Sequence, residues 1–296
     1  MKKDLITTLD KHLYRQAFDR AATSYDEAAV LQKEVGKRLL ERLDYVRLQP
    51  QCILDLGSGT GLCTAALRQR YKKAHIISLD IAPAMLLTAK NKLSWLEKTL
   101  SGKQRYICGD ADYLPLKGQS VDMIISNLTL QWCPELDHTF TELHRVLKPD
   151  GLLMFTTLGP DTLKELRQSW QSVDKNIHVH NFIDMHDVGD ALLRARFADP
   201  VMDMETITMT YQDARTLMQD LKTLGAHNAS PSRPRGLTGK RRLQSMLTEY
   251  ERFRVNDVLP ATYEVVYGHA WTTHVKGDRQ HSPQREQQVP FHPRMQ

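Results

Sequence analysis

Short apolar runs alternate with longer amphipathic segments along most of the chain. The short runs predict strands at 52–56, 75–79, 105–108, 121–126 and 152–158. Between them, apolar residues at helical spacing predict helices near 60–70, 83–96 and 136–147. Strand–helix–strand alternation with continuously apolar strands predicts a parallel sheet covered on both faces.

Beyond residue 158 the pattern changes. Leu163, Leu166 and Trp170 form a stripe that predicts a helix over 161–173, and 184–196 and 215–224 read as further helices. At 200–211, Met202, Met204 and Thr206 alternate with acids, as in a strand with one wet face. Residues 225–239 are rich in Gly, Pro, Ser and Asn and read as a loop. A basic helix over 238–254, capped by Thr238, and a last strand at 263–267 follow. Upstream, Leu31, Val35, Leu39, Leu40 and Leu43 sit at helical spacing, whereas 18–25 is less regular.

The expected fold is therefore α/β: a doubly wound, mostly parallel, seven-stranded, Rossmann-like sheet. Residues 1–271 are expected to form one domain, with 1–50 as a helical cap and 211–256 as a helical insertion before the last strand. The polar stretch 272–296 has almost no aliphatic residues and is expected to be a disordered tail.

Composition narrows the class. With 41% apolar and 25% charged residues over 296 positions, the chain is ordinary globular material. No uncharged apolar run reaches the ~18–20 residues of a membrane span. The charged start argues against export, so a cytoplasmic protein is expected. Cys52, Cys63, Cys108 and Cys133 lack C-x-x-C spacing, which leaves disulfide and zinc frameworks without support and predicts buried thiols. His178 and His180 alternate, but no third ligand stands at metal spacing, and no metal is expected. Residues 1–231 hold 29 basic and 29 acidic side chains, whereas 232–256 hold seven and two. The positive excess is thus local. RNA binding ranks low, because only Tyr250 and Phe253 accompany it.

The turn after the first strand is the most informative stretch. In Ile53-Leu54-Asp55-Leu56-Gly57-Ser58-Gly59-Thr60-Gly61, apolar residues run straight into glycines at alternate positions. Glycine permits positive φ and close approach of backbone to a ligand. Turns at the carboxyl ends of strands are where open α/β sheets bind nucleotides. The spacing differs from G-x-G-x-x-G, and no Lys-Ser or Lys-Thr follows to hold a phosphate. Asp55, two positions before the first glycine, would repel a pyrophosphate and suit an ammonium group. Asp80 ends the second strand, placed to accept ribose hydroxyls. Asp110 and Ala111 follow the third strand and can meet an adenine edge; Asn127 and Leu128 end the fourth. Together Asp55, Gly57, Gly59, Gly61, Asp80, Asp110, Ala111, Asn127 and Leu128 predict a site for S-adenosylmethionine.

At these residues the chain resembles the class I S-adenosylmethionine-dependent methyltransferases, over roughly 50–160. More of it is similar to the BioC-type malonyl-[acyl-carrier protein] O-methyltransferases of biotin synthesis. The carrying stretches are Phe18-Asp-Arg-Ala-Ala-Thr-Ser-Tyr25-Asp26, Leu130-Gln131-Trp132 and Gly159-Pro-Asp-Thr-Leu-Lys-Glu-Leu-Arg167. Phe182-Ile-Asp-Met-His186, Gly236-Leu-Thr-Gly-Lys240 and the strand through Trp271 extend the likeness to about 12–271. The resemblance implies methyl transfer to the free carboxyl of a malonyl thioester, on a carrier protein or on coenzyme A. Other small-molecule O- or C-methyltransferases share parts of the pattern, as do arginine-modifying assembly factors. A fold that binds without catalysing stays open too.

A carboxylate is already ionised at pH 7, so no acid–base residue is expected. Positioning falls to Arg167 and Tyr25: a bidentate arginine suits a carboxylate, and Tyr25 lies where the cap should close. Trp132, Phe18 and Arg20 complete the expected substrate site. Lys240, Arg241 and Arg242 open a helix whose Leu243, Met246, Leu247 and Tyr250 would dock on the body, leaving a basic face for an acidic acyl carrier protein.

Overall fold

The computed structural model describes residues 9–93, 103–226 and 239–273. The chain opens with helices α1 (Lys11–Ala21), α2 (Tyr25–Ala28) and α3 (Val30–Glu41). It continues through β1 (Cys52–Leu56), α4 (Leu62–Arg70), β2 (His75–Asp80), α5 (Pro83–Asn91), β3 (Gln104–Cys108) and β4 (Val121–Ser126). Next come α6 (Leu136–Val146), β5 (Leu147–Leu158), α7 (Lys164–Gln171), α8 (Met185–Arg194) and β6 (Phe197–Tyr211). Helices α9 (Ala214–Thr223) and α10 (Lys240–Tyr250) precede β7 (Leu259–Thr272).

The strands form one seven-stranded sheet in the order β3-β2-β1-β4-β5-β7-β6. Only β7 runs against its neighbours, inserted antiparallel between β5 and β6. The expected fold class is therefore the observed one. Successive residues of β1 point to opposite faces, so Ile53 joins the core layer under α3 and Leu54 the layer under α6. The order turns back on itself between β1 and β4, and the crevice at their carboxyl ends is where such sheets bind ligands.

Several boundaries differ from the pattern-based expectation. Strands β6 and β7 pair along nearly their whole length, well beyond 200–211 and 263–267. Pro260 masked the early part of β7, where a proline reads as a break although the ladder with β6 runs through it. Helix α7 starts at Lys164 rather than 161, because Leu163 takes a left-handed φ of 54° and donates its N–H to the Thr262 carbonyl at 2.6 Å. The irregular stretch 18–25 is the break between α1 and α2. Cys63 and Cys133 are buried, but Cys52 is half-buried and Cys108 exposed, so the four free thiols do not share one environment. The Thr238 cap, the end of the helix expected to reach 96 and the tail from 274 lie outside the described residues. Among the described residues no helix is long and apolar enough to cross a membrane.

Candidate active site

The site begins with the glycine turn. Gly57, Gly59 and Gly61 all have positive φ, at 67°, 53° and 86°. The N–H groups of Gly57 and Ser58 both donate to the Leu79 carbonyl, at 2.8 and 3.0 Å, which locks the turn against β2. A Cβ on Gly57 would stand 2.0 Å from Thr129 Oγ1, whereas one on Gly59 would meet nothing within 4 Å. Gly57 is therefore required by packing, and Gly59 leaves an open cradle.

Asp80 lies beside that cradle, 8% exposed. Its Oδ2 accepts the Gly59 N–H and its Oδ1 the Ala82 N–H, each at 2.8 Å. Burial pushes its carboxyl up to about 6, although both N–H donors pull the other way. Gly57, Gly59, Asp80, Asp110, Ala111 and Leu128 line a cleft at the strand ends.

Its roof is the N-terminal cap. Tyr14, Phe18 and Tyr25 close over the cleft. Lys11 pairs with Asp110 at 2.6 Å and Asp112 at 2.5 Å, and Asp19 accepts the Ala84 N–H at 3.0 Å. Asp26 pairs with Lys92 and accepts the Thr60 hydroxyl. Each tie runs from the cap to a strand-end loop or its following helix.

A second cavity adjoins the first. Phe18, Tyr25, Leu128 and Trp132 appear in both linings and form the wall between them. Trp132 is held by three rings, with centroids 5.4 Å from Tyr14, 5.2 Å from Phe18 and 5.4 Å from His180. The rest of the lining comes from α3, the start of α7, residues 178–182, the far ends of β6 and β7, and α9. Burial, with Asp80 and Asp26 nearby, holds the Tyr25 hydroxyl well above its ordinary range, so it stays a neutral donor. His178 stacks flat on Trp170 at 3.8 Å, with Nε2 2.9 Å from Asp174. Among the described residues no lysine or arginine lines this cavity.

Four expected site residues lie elsewhere. Asp55 is 1% exposed beneath the turn, where it accepts the Thr64 hydroxyl at 2.5 Å, and burial pushes its carboxyl up to about 7. It does not line either cavity. Gly61 caps α4 and packs toward Ala89 instead of the cleft. Arg20 is exposed at the end of α1, reaching only Gln16 at 3.5 Å. Arg167 is turned onto backbone: Nη1 donates to Pro160 O at 2.7 Å, and Nη2 to Thr162 O at 3.1 Å and His180 O at 3.3 Å. Those carbonyls come from two segments of the second cavity's wall, so Arg167 clamps the wall without lining it. Asn127 lines the first cleft, but its amide bridges the Gln32 carbonyl and the Thr156 hydroxyl, each at 2.9 Å.

Lys240, Arg241 and Arg242 are exposed in the first turn of α10, while Met246 and Tyr250 are buried and Leu243 and Leu247 pack on the core. Arg242 lies 4.0 Å from Asp174, the partner of cavity-lining His178. The basic turn is thus one ion pair removed from the second cavity.

Lys11 and Tyr14 were not singled out by the motifs. Their signal is legible afterwards, since Lys11, Tyr14 and Phe18 fall on one helical face. Met209, Tyr211 and Asp220 carry no local signal at all.

Residues 54–155 match a family described as a methyltransferase domain. The malonyl-[acyl-carrier protein] O-methyltransferase of Gallionella capsiferriformans is 56% identical over 264 residues, covering 89% of this chain and 91% of the relative. That of Laribacter hongkongensis is 49% identical over 287 residues, 96% of each. Among solved structures, the YcgJ protein from Bacillus subtilis shares the fold at a TM-score of 0.56 and 14% identity, covering 80% of this chain and 98% of that one.

Proposed function

The chain belongs to the malonyl-[acyl-carrier protein] O-methyltransferases, and we propose from that premise that it methylates the free carboxylate of a malonyl thioester at the junction of its two cavities, with S-adenosylmethionine as donor. The observation that carries the reading is the shared wall. Phe18, Tyr25, Leu128 and Trp132 face a nucleotide-type cleft on one side and a larger, mostly apolar cavity on the other.

The residues of the first cleft fit the donor. Gly59 leaves open space where any side chain would intrude. Asp80 has two N–H donors fixing its carboxylate and keeps lone pairs for ribose hydroxyls. Asp110 and Ala111 line the same cleft after β3, which supports giving them the adenine edge. When bound, S-adenosylmethionine supplies an electrophilic methyl group on a cationic sulfonium.

The chain's own task is alignment. A malonyl carboxylate is ionised at neutral pH, so no side chain has to remove a proton. The Tyr25 hydroxyl, a permanent donor at the junction, orients the acceptor oxygen. Phe18 and Trp132 keep water from the reacting atoms, which favours a step in which opposite charges neutralise. Arg167 serves as a positioning residue, through the carbonyls it clamps.

An acyl carrier protein is the partner we favour, steered by Lys240, Arg241 and Arg242, with residues 1–271 working as one unit. Acidic partners associate faster with a basic patch, and salt weakens the effect.

The decisive experiment is mass spectrometry of malonyl-carrier protein incubated with the protein and S-adenosylmethionine. A gain of one methyl group, absent with acetyl-carrier protein, is expected; no gain overturns the reading. Reversing Lys240, Arg241 and Arg242 to glutamate should slow methylation of malonyl-carrier protein about tenfold, with a smaller effect on malonyl-coenzyme A. Equal losses on both would remove the patch from partner docking.

A further inference from the structure

Most of the second cavity's lining lies outside the shared wall of Phe18, Tyr25, Leu128 and Trp132, on α3, α7, residues 178–182, α9 and the ends of β6 and β7. That is more surface than a three-carbon diacid can touch. The methyl-transfer junction occupies one end, at Tyr25 and Trp132. Another part of the lining comes from α9, which packs on α2, and from the ends of β6 and β7, contributing Asp220, Leu221, Met209 and Tyr211.

The polar groups of that lining are strongly one-sided. Apart from the Tyr25 hydroxyl at the junction, its Gln131, Thr162 and Tyr211 donors are turned inward onto the protein. Gln131 Nε2 donates to the Leu128 carbonyl at 2.7 Å, and the Thr162 hydroxyl to the Glu264 carbonyl at 3.2 Å. The Tyr211 hydroxyl is hydrogen-bonded to the Asp220 carboxylate, and that contact, with burial, pushes it up to about 12. Its acceptors are left over. Gln131 Oε1 and Gln32 Oε1 are buried without a hydrogen-bond partner among the described residues. The orientation of Gln131 is fixed, because a carbonyl can only accept, so the nitrogen must face Leu128 and the oxygen is the orphan. Asp220 retains lone pairs beyond the one that Tyr211 uses. An unmet buried acceptor is unfavourable by itself, so this lining calls for a ligand that brings N–H donors.

We propose that the second cavity is a subsite for the amide-bearing arm of the thioester substrate, with Gln131 Oε1 and the Asp220 carboxylate accepting its amide N–H groups. The inference rests on the malonyl-thioester reading. An arm that carries an acyl group from a carrier protein has secondary amides separated by short aliphatic links. Isolated acceptors among Leu31, Leu158, Leu166 and Met209 match that alternation. The arm's outer end would emerge near α9 and α10, on the side where Arg242 approaches Asp174. The placing of the basic turn is a separate observation from the acceptor imbalance, and both put the carrier on the same side.

The test compares malonyl-pantetheine, which has the amides, with ethyl malonyl thioester, which has none. The unaltered protein should prefer the pantetheine substrate in kcat/KM. Asp220→Ala and Gln131→Met should each cut that preference about tenfold, chiefly through KM. Tyr211→Phe should cut it less, since the carboxylate remains. Variants that slow both substrates equally, or neither, leave the preference intact and overturn the subsite. Should the unaltered protein methylate no malonyl thioester, the transfer reading fails on its own. The subsite is then decided by saturation-transfer NMR with free pantetheine, whose signal should appear with the unaltered protein and fade in Asp220→Ala. No signal, or an equal signal in both, overturns it.

Discussion

The two adjoining cavities are built in opposite ways. The first is made of strand ends: Gly57 and Gly59 follow β1, Asp80 ends β2, Asp110 and Ala111 follow β3, and Leu128 follows β4. Its floor is a backbone turn held by hydrogen bonds such as Gly57 N–H to Leu79 O. The second is made of side chains from the cap, α7, the 178–182 segment, α9 and the β6–β7 ladder. A site made of backbone needs particular residues at particular places. A side-chain site needs only the right surface, which many sequences supply.

The largest effect should therefore come from breaking the backbone cavity. Gly57→Ala would put a methyl group 2.0 Å from Thr129 Oγ1 at a φ of 67°. Strain and overpacking of this kind cost about 1–3 kcal/mol each. The variant should melt several degrees lower and lose measurable S-adenosylhomocysteine binding by calorimetry. Normal binding would show that the turn tolerates a side chain and does not approach the ligand.

Asp80→Ala comes next. It removes a charged acceptor, and losses of about 1.5–3 kcal/mol, or ten- to hundredfold in Kd, are expected. The carboxylate must be ionised to accept two hydroxyls, and its value near 6 is raised above the ordinary range. Affinity in the unaltered protein should then fall as pH drops through about 6, and this dependence should vanish in the variant. A flat pH profile would separate Asp80 from the ligand.

Arg167→Ala sharpens the contrast, because it loosens one wall of the second cavity and leaves the first alone. KM for the malonyl substrate should rise about tenfold, while S-adenosylhomocysteine affinity stays within a factor of about two. Arg167→Lys should recover little, since an ammonium cannot span the Pro160, Thr162 and His180 carbonyls at once. Full recovery by lysine would favour direct charge pairing with the substrate.

The smallest effect is expected at Asp55. A carboxyl with a raised folded value, here about 7, binds its proton more tightly when folded. It stabilises the fold at low pH, and that contribution is lost as pH rises through about 7. Asp55→Asn should thus raise the melting temperature more at pH 8 than at pH 5, by about 2–4 °C for each kcal/mol relieved, and change ligand affinity less than Asp80→Ala does. Equal losses of affinity at the two positions would place Asp55 against the ligand after all.

Legibility followed the same division. The inner strands β1, β2, β4 and β5 could be read because most of their residues are buried and therefore largely apolar, whereas the edge strand β3 has no buried residue and left a shorter run. The ends of β6 and β7 could not, because pairing with a half-exposed edge strand leaves polar residues inside the ladder. Asp80 and the glycine turn were evident from spacing. Asp55 lies beneath the turn, bonded to Thr64, a direction that spacing could not give, because it places a residue along the strand but does not say which way its side chain faces. Arg167 was singled out through a motif, and its motif neighbours turned out to be what it clamps.

By itself the sequence determined the α/β class, the seven strands and the location of the nucleotide-type turn, since these rest on local period and local backbone freedom. Only the tertiary structure decided which groups share a cavity. Gln32, Gln131 and Asp220 are distant in sequence, and nothing local marks them as neighbours. The direction in which Arg167 points was decided there too. A half-buried guanidinium is unfavourable unless its N–H groups are met, and the carbonyls that meet Nη1 and Nη2 come from segments that join only in the fold, while Nε stays without a partner among the described residues.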